Sequence, residues 1–158
     1  MTTRVTIAGH PLHAMLVTIP IGLWVFSLIS DIVFALTGDI RWDVTAYFTL
    51  GGGIVGALLA AVPGLLDFLG LHKAEERRIA VIHLTLNLAI VAVQVINFWI
   101  RGQTMTSGRL SMLMSVVAVA ALVVSGWLGG QLVHVLGVTQ PHHGEAEALD
   151  RDHLHPRT

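Results

Sequence analysis

The 158-residue chain contains no cysteine. That absence removes disulfides, thiolate zinc sites, iron–sulfur clusters and the covalent attachment of c-type haem. Any metal or haem must then be held by His, Met, carboxylate or amide groups. Charge is scarce too: 12% of the residues are Asp, Glu, Lys or Arg, against about a quarter in a soluble domain. So little charge cannot cover a globule with a solvated surface, and lipid is the expected solvent. The net charge of −1 gives no footing for a nucleic-acid partner. There is no Gly-rich phosphate loop, no Ser nucleophile elbow and no H-E-x-x-H pair, so no residue is assigned a catalytic role.

Hydrophobic residues make up 54% of the chain, and they fall into four long stretches: Ala14–Leu36, Val44–Leu69, Ile79–Ile100 and Leu110–Leu136. Each reaches the roughly 20 residues that a helix needs to cross a bilayer core about 30 Å thick. The breaks between them, TGDIRWD, GLHKAEERR and RGQTMTSGR, are short and polar. The expected fold is therefore an all-α integral membrane four-helix bundle, up-down-up-down, over residues 1–138. The polar segment 139–158 follows as a cytoplasmic tail expected to be disordered. The first stretch is read as a membrane span, because its apolar run is long and no small-residue cleavage site follows.

Basic residues in the short loops orient such a bundle. Arg4, Lys73, Arg77, Arg78, Arg151 and Arg157 lie on the side of both termini, and Arg41, Arg101 and Arg109 lie on the other. Six against three places both termini inside, in a bacterial inner membrane. Trp42, Tyr47 and Trp99 fall at the opposite boundary, as an interfacial aromatic belt would.

Small residues form stripes on two spans. Gly52, Gly56 and Ala60 repeat every four residues on the second; Ser111, Ser115, Ala118, Ser125 and Gly129 share a face of the fourth. Close helix packing is their main expected use, with a homodimer face or room for a flat cofactor as the others. Pro20 and Pro63 are expected to loosen their helices.

On the third span His83, Asn87, Gln94 and Asn97 project from one helical face. They form either interhelical hydrogen-bond glue or a polar path through the bundle. The first span has a matching face carrying His13, Pro20, Trp24, Ser27 and Asp31. Asp31 lies about 27 Å beyond His13 at helical rise, and is expected to be an acid snorkelling near the far loop.

The histidines share one depth. His10 and His13 open the first span in HPLH, with Pro11 expected in the first helical turn and His10 near the N-cap. His72 sits in the second connection, His83 is about one turn into span three, and His134 is about one turn from the end of span four. Asp67 closes span two at the same level. Three uses of this layer follow. Two of His13, His83 and His134 are axial ligands of haem b, with Gly126, Gly129 and Gly130 making room for the ring. Alternatively His10, His13, His83, His134 and Asp67 bind a divalent metal. Or the histidines titrate near neutral pH and pass protons.

The opening His10-Pro11-Leu12-His13, Met15-Leu16-Val17, Pro20-Ile21-Gly22 and Asp31, with the closing Gly126-Trp127-Leu128-Gly129-Gly130-Gln131-Leu132-Val133, resemble a family of predicted bacterial membrane proteins, domain of unknown function 2231. The resemblance covers residues 7 to 138. The family usually has H-P-L-H-P, where this chain has Ala14. Many members have Tyr followed shortly by His-Gly, where this chain has His134-Val135-Leu136-Gly137. The resemblance implies a four-span membrane architecture. Some relatives look associated with redox modules, which implies haem or electron transfer.

The leading expectation is thus a b-type haem protein exchanging electrons with a quinone or a redox protein, with His83 and His134 as first ligands and His13 as alternate. Its rival is a non-redox structural, assembly or small-transport module with no cofactor. A metal-dependent hydrolase ranks below both, since no general base is paired with a water site.

Overall fold

A computed structural model describes residues 6–7, 10–104 and 108–135. Two short strands, β1 (Thr6–Ile7) and β2 (His10–Pro11), pair antiparallel ahead of the first helix. The helices are α1 (Leu12–Leu16), α2 (Thr18–Thr37), α3 (Ile40–Leu69), α4 (Ala74–Thr104) and α5 (Arg109–Gly130), and α5 ends in a π-helical turn, Gln131–Val135. The fold is all-α, as expected.

Local chemistry sets the boundaries. The helix begins at Leu12, with extended Pro11 as its N-cap residue, so Pro11 precedes the first turn and His10 lies in a strand. This corrects the expected cap by one residue. Proline drives the residue before it toward extended backbone, and His10 obeys, pairing with Ile7. The break at Val17 between α1 and α2 follows from Pro20, which lacks the N–H that the Leu16 carbonyl would accept. By contrast, α3 continues through Pro63. Gly38 ends α2 in the left-handed region at φ 69° and bonds back to Phe34 O at 2.8 Å. Asp39 then caps α3 by accepting from the Arg41 backbone N–H at 3.0 Å. Only these two residues separate α2 from α3. The third helix of the bundle, α4, begins five residues before the apolar run, because A-E-E-R-R is itself a good helix former.

Four helical segments, Leu12–Thr37, Ile40–Leu69, Ala74–Gln103 and Arg109–Val133, are long and apolar enough to cross a membrane. Their outward faces carry Phe48, Leu58, Val62, Leu88, Val123 and Trp127, all exposed within the bundle and suited to lipid. Hydrogen bonds fix how the helices run. His13, Trp24 and Ser27 bond to the carbonyls of Ala60, Leu50 and Ala46, falling along α3 as they rise along α1 and α2. His83 meets Ser125 and Asn97 meets Ser111, so α4 and α5 are antiparallel too. The closest packing is α2 on α3 and α4 on α5, and α3–α4 and α2–α5 contacts close the ring.

The small stripe of α3 works inside this ring. A methyl at Gly53 would overlap the Trp24 ring, and one at Gly56 would meet Ile19 at 3.0 Å and Pro20 at 3.3 Å. Trp24, Leu50, Ile90, Ala118 and Leu122 form the central core.

Candidate functional site

A cavity of about 420 Å³ lies at the end of the bundle where α1 and α4 begin and α3 and α5 finish. Its wall is largely aliphatic and aromatic, including Val17, Trp24, Ala61, Phe68, Leu88 and Leu122. Besides Trp24, the hydrogen-bonding side chains in that wall are His13, Asp67, His83, Asn87 and Ser125. Among the described residues, no Lys or Arg lines it.

His13 is carried in by α1, and its Nδ1–H donates to the Ala60 carbonyl at 2.8 Å. A carbonyl only accepts, so the proton sits on Nδ1 and Nε2 is left with a lone pair. Gly64 makes this possible: a Cβ there would lie 2.7 Å from His13 Nδ1 and 2.8 Å from Cε1.

His83, on α4, is fixed the same way. Its Nδ1–H donates to the Ser125 carbonyl at 3.0 Å, which again leaves Nε2 as an acceptor. Asn87 Nδ2 donates to the His83 carbonyl at 2.8 Å and to Ser125 Oγ at 2.7 Å, and lies 3.2 Å from His83 Nε2. An amide has two hydrogens, and the two shorter contacts take them. The Nε2 lone pair of His83 is only weakly engaged. The imidazoles of His13 and His83 are near enough to interact electrostatically.

The other sequence-flagged residues divide. Asp67, Gly126 and Gly129 line the cavity with His13 and His83. Gly129 seats His83, since a Cβ there would meet His83 Cε1 at 3.3 Å, whereas Gly126 and Gly130 face open space. Gly130 and His10 do not line the cavity, and His10 is exposed. The His134 backbone belongs to the π-helical turn, and its side chain lies outside the described residues, as does all of segment 139–158. Among the described residues no three His, Asp or Glu side chains gather in a group that could hold a metal.

A second polar layer occupies the opposite end. Arg101 forms a buried bidentate pair with Asp31, at 2.7 and 2.6 Å. Arg101 Nη2 also donates to Ser115 Oγ at 3.1 Å, and Nε to Asn97 Oδ1 at 3.2 Å. Asn97 Nδ2 donates to Ser115 Oγ at 3.0 Å and to the Ser111 carbonyl at 3.2 Å. Asp31 is therefore no snorkelling acid, and Arg101 is no loop charge: burial beside each other holds both inside. The sequence signal was there, because Arg101 extends the His83–Asn87–Asn97 face by one more turn.

Between the layers sit Trp24, Leu50, Ile90, Ala118 and Leu122. The polar face of α4 is thus two clusters parted by an apolar plug, and no continuous polar path joins them among the described residues. Asn97, fully buried, bonds across to α5 at the far cluster, whereas the equally buried Gln94 accepts, among the described residues, only from Asn97 on its own helix, at 3.4 Å.

These features define an integral membrane four-helix bundle with a histidine-walled cavity at one end. A family of predicted membrane proteins, DUF2231, matches residues 9–141. The chain belongs to that family. No curated protein and no solved structure matches it.

Proposed function

We propose that the chain is a membrane-embedded binding module, whose cavity receives a small, largely apolar molecule with a polar centre that meets His13 and His83. The observation that carries this reading is the cavity itself: about 420 Å³, apolar over most of its wall, with two imidazoles pinned through Nδ1 and presenting Nε2. Ligand chambers of about 300–1,000 Å³ with a few oriented polar groups are the usual form of such a site. The test is a cavity-filled variant, Ala57→Phe, purified in native lipid discs beside the wild type and extracted for small molecules. A compound carried by the wild type and absent from a folded Ala57→Phe supports the reading. Identical extracts overturn it and leave a structural bundle.

A second reading has its own support. Nδ1 anchored to a backbone carbonyl, with Nε2 presented, is the arrangement of metal-ligating histidines generally. Under it His13 and His83 would hold a haem b, which would supply one-electron transfer toward a quinone or a redox protein. A Soret band that disappears in His13→Ala and His83→Ala supports it, and a blank spectrum from haem-supplemented, folded protein removes it.

We also place both termini on the cytoplasmic face of a bacterial inner membrane. With Arg101 sequestered by Asp31, loop arginines and lysines number six on the terminal side against two on the other.

A further inference from the structure

The two cavity imidazoles offer acceptors. His13 Nε2 is a lone pair and no described residue bonds to it. His83 Nε2 is a lone pair as well, and Asn87 has spent both amide hydrogens on His83 O and Ser125 Oγ. Asp67 adds a carboxylate to the wall. Both imidazoles thus offer an acceptor, which an occupant meets by donating, and the Ser125 hydroxyl, which accepts from Asn87, is the one wall group beside them that can also donate. Charge points the same way. No Lys or Arg stands among the described lining residues, so a phosphate or carboxylate headgroup finds no permanent counter-charge in them.

The cavity also reaches the outer surface of the bundle. Ile21 on α2 and Gly126 on α5 line it and are exposed; so are Ala61 and Leu65 on α3 and Leu88 on α4. At the other end α3 and α4 pack through Phe98, which stacks on Tyr47 at 4.5 Å and sits on Gly51, while at the cavity end Arg77 of α4 lies over the Phe68 ring of α3. The exposed lining positions lie on the apolar membrane-length helices. A methyl at Gly126 would meet nothing within 4 Å.

We infer that the cavity takes an uncharged lipophile bearing a hydroxyl group, which enters sideways from the bilayer and donates its O–H to His13 Nε2. This rests on the binding-module reading and names its ligand class. The hydroxyl is what the site recognises: an otherwise identical molecule without it leaves the half-buried His13 acceptor without that donor, which costs affinity.

The probes are a radiolabelled long-chain alkylphenol, its methyl ether and the alkylbenzoate of the same chain length, each equilibrated with full-length protein in lipid nanodiscs and corrected with empty discs. The phenol is expected to bind at least about tenfold more tightly than the ether, a difference near 1.4 kcal/mol, and the benzoate to bind more weakly than both. His13→Asn, which keeps a polar side chain near the Ala60 carbonyl, and His13→Ala should both erase the phenol–ether difference. Gly126→Leu should slow phenol entry and exit with little change in equilibrium affinity. Equal binding of phenol and ether overturns the hydroxyl assignment while leaving the cavity a binding site. Tight binding of the benzoate overturns the charge argument. Binding of none of the three, with a Soret band present, overturns the inference in favour of haem; binding of none, with no band, overturns the binding-module reading with it.

Discussion

Arg101 grips Asp31 across seventy residues of sequence, Nη1 to Oδ1 at 2.7 Å and Nη2 to Oδ2 at 2.6 Å, with both side chains almost wholly buried. Two charges removed from water need each other and further hydrogen bonds to be tolerated. Ser115 and Asn97 supply those bonds, which ties α2, α4 and α5 together at one end of the bundle.

Removing one partner should cost far more than removing both. Arg101→Met leaves a buried carboxylate and is expected to destabilise the bundle by about 3–5 kcal/mol. The double variant Asp31→Leu, Arg101→Met should recover most of that loss. Reversible unfolding in detergent, run on both singles and the double, checks the sign of the coupling. Additive losses would show that the pair contributes nothing as a pair.

Glycines on α2 and α3 should differ sharply in tolerance to alanine. At Gly53 a methyl overlaps the Trp24 ring, which also donates to Leu50 O at 3.2 Å, so Gly53→Ala is expected to cost about 1–3 kcal/mol through overpacking. At Gly52 the neighbour is the flexible end of Leu23, 3.3 Å away, and the cost should be smaller. Gly22→Ala meets nothing within 4 Å and should be neutral or stabilising by up to about 1 kcal/mol. Melting temperatures of the three variants rank them, and a tolerated Gly53→Ala would mean that α2 and α3 are less close than described.

Both cavity histidines should be Nδ1-protonated when neutral, because each Nδ1 faces a backbone carbonyl, that of Ala60 for His13 and of Ser125 for His83. Nitrogen-15 shifts of histidine-labelled protein in lipid report the tautomer directly. Asn87→Leu should keep that tautomer at His83 and cost about 0.6–2 kcal/mol, the usual worth of interhelical hydrogen bonds in a membrane. Observing Nε2–H at His13 would reverse the donor and acceptor roles on which ligand choice depends.

At the α2–α3 turn, hydrogen bonds from the Arg41 guanidinium and backbone hold the Asp39 carboxyl below the ordinary carboxylate range. A carboxyl depressed on folding adds stability above its unfolded pKa, near 3.9, and loses it as pH falls through the lower folded value. The turn's contribution should therefore vanish in acid below about pH 4, be small because the pair is exposed, and shrink with salt. Asp39→Asn should flatten the acid limb of a melting-temperature titration; an unchanged limb would show that the cap carries no charge effect.

The spans were legible because four apolar runs of membrane length leave little choice, and the inward face of α4 because His83, Asn87, Gln94 and Asn97 keep helical spacing. The meeting of His13 and His83 at one cavity followed from equal depth. Less legible was anything that depends on a partner chosen across the bundle. Arg101 reads as a loop charge until Asp31 is seen against it. Gly129 and Gly64 look like packing glycines until the imidazoles they seat are located. The plug escaped notice because Ile90 and Leu122 are ordinary lipid-span residues, and only their convergence with Trp24 divides the polar face.

That plug has an electrical consequence. Trp24, Leu50 and Ile90 stand as an apolar layer between the His13–His83 end and the Arg101 end. The far cluster joins Arg101 to Asp31, Asn97 and Ser115. The bundle is an insulator with a chamber on one side, so most of the membrane voltage falls across the apolar core. A ligand held beside the histidines, as proposed, would sit outside that layer and sense little of the membrane potential.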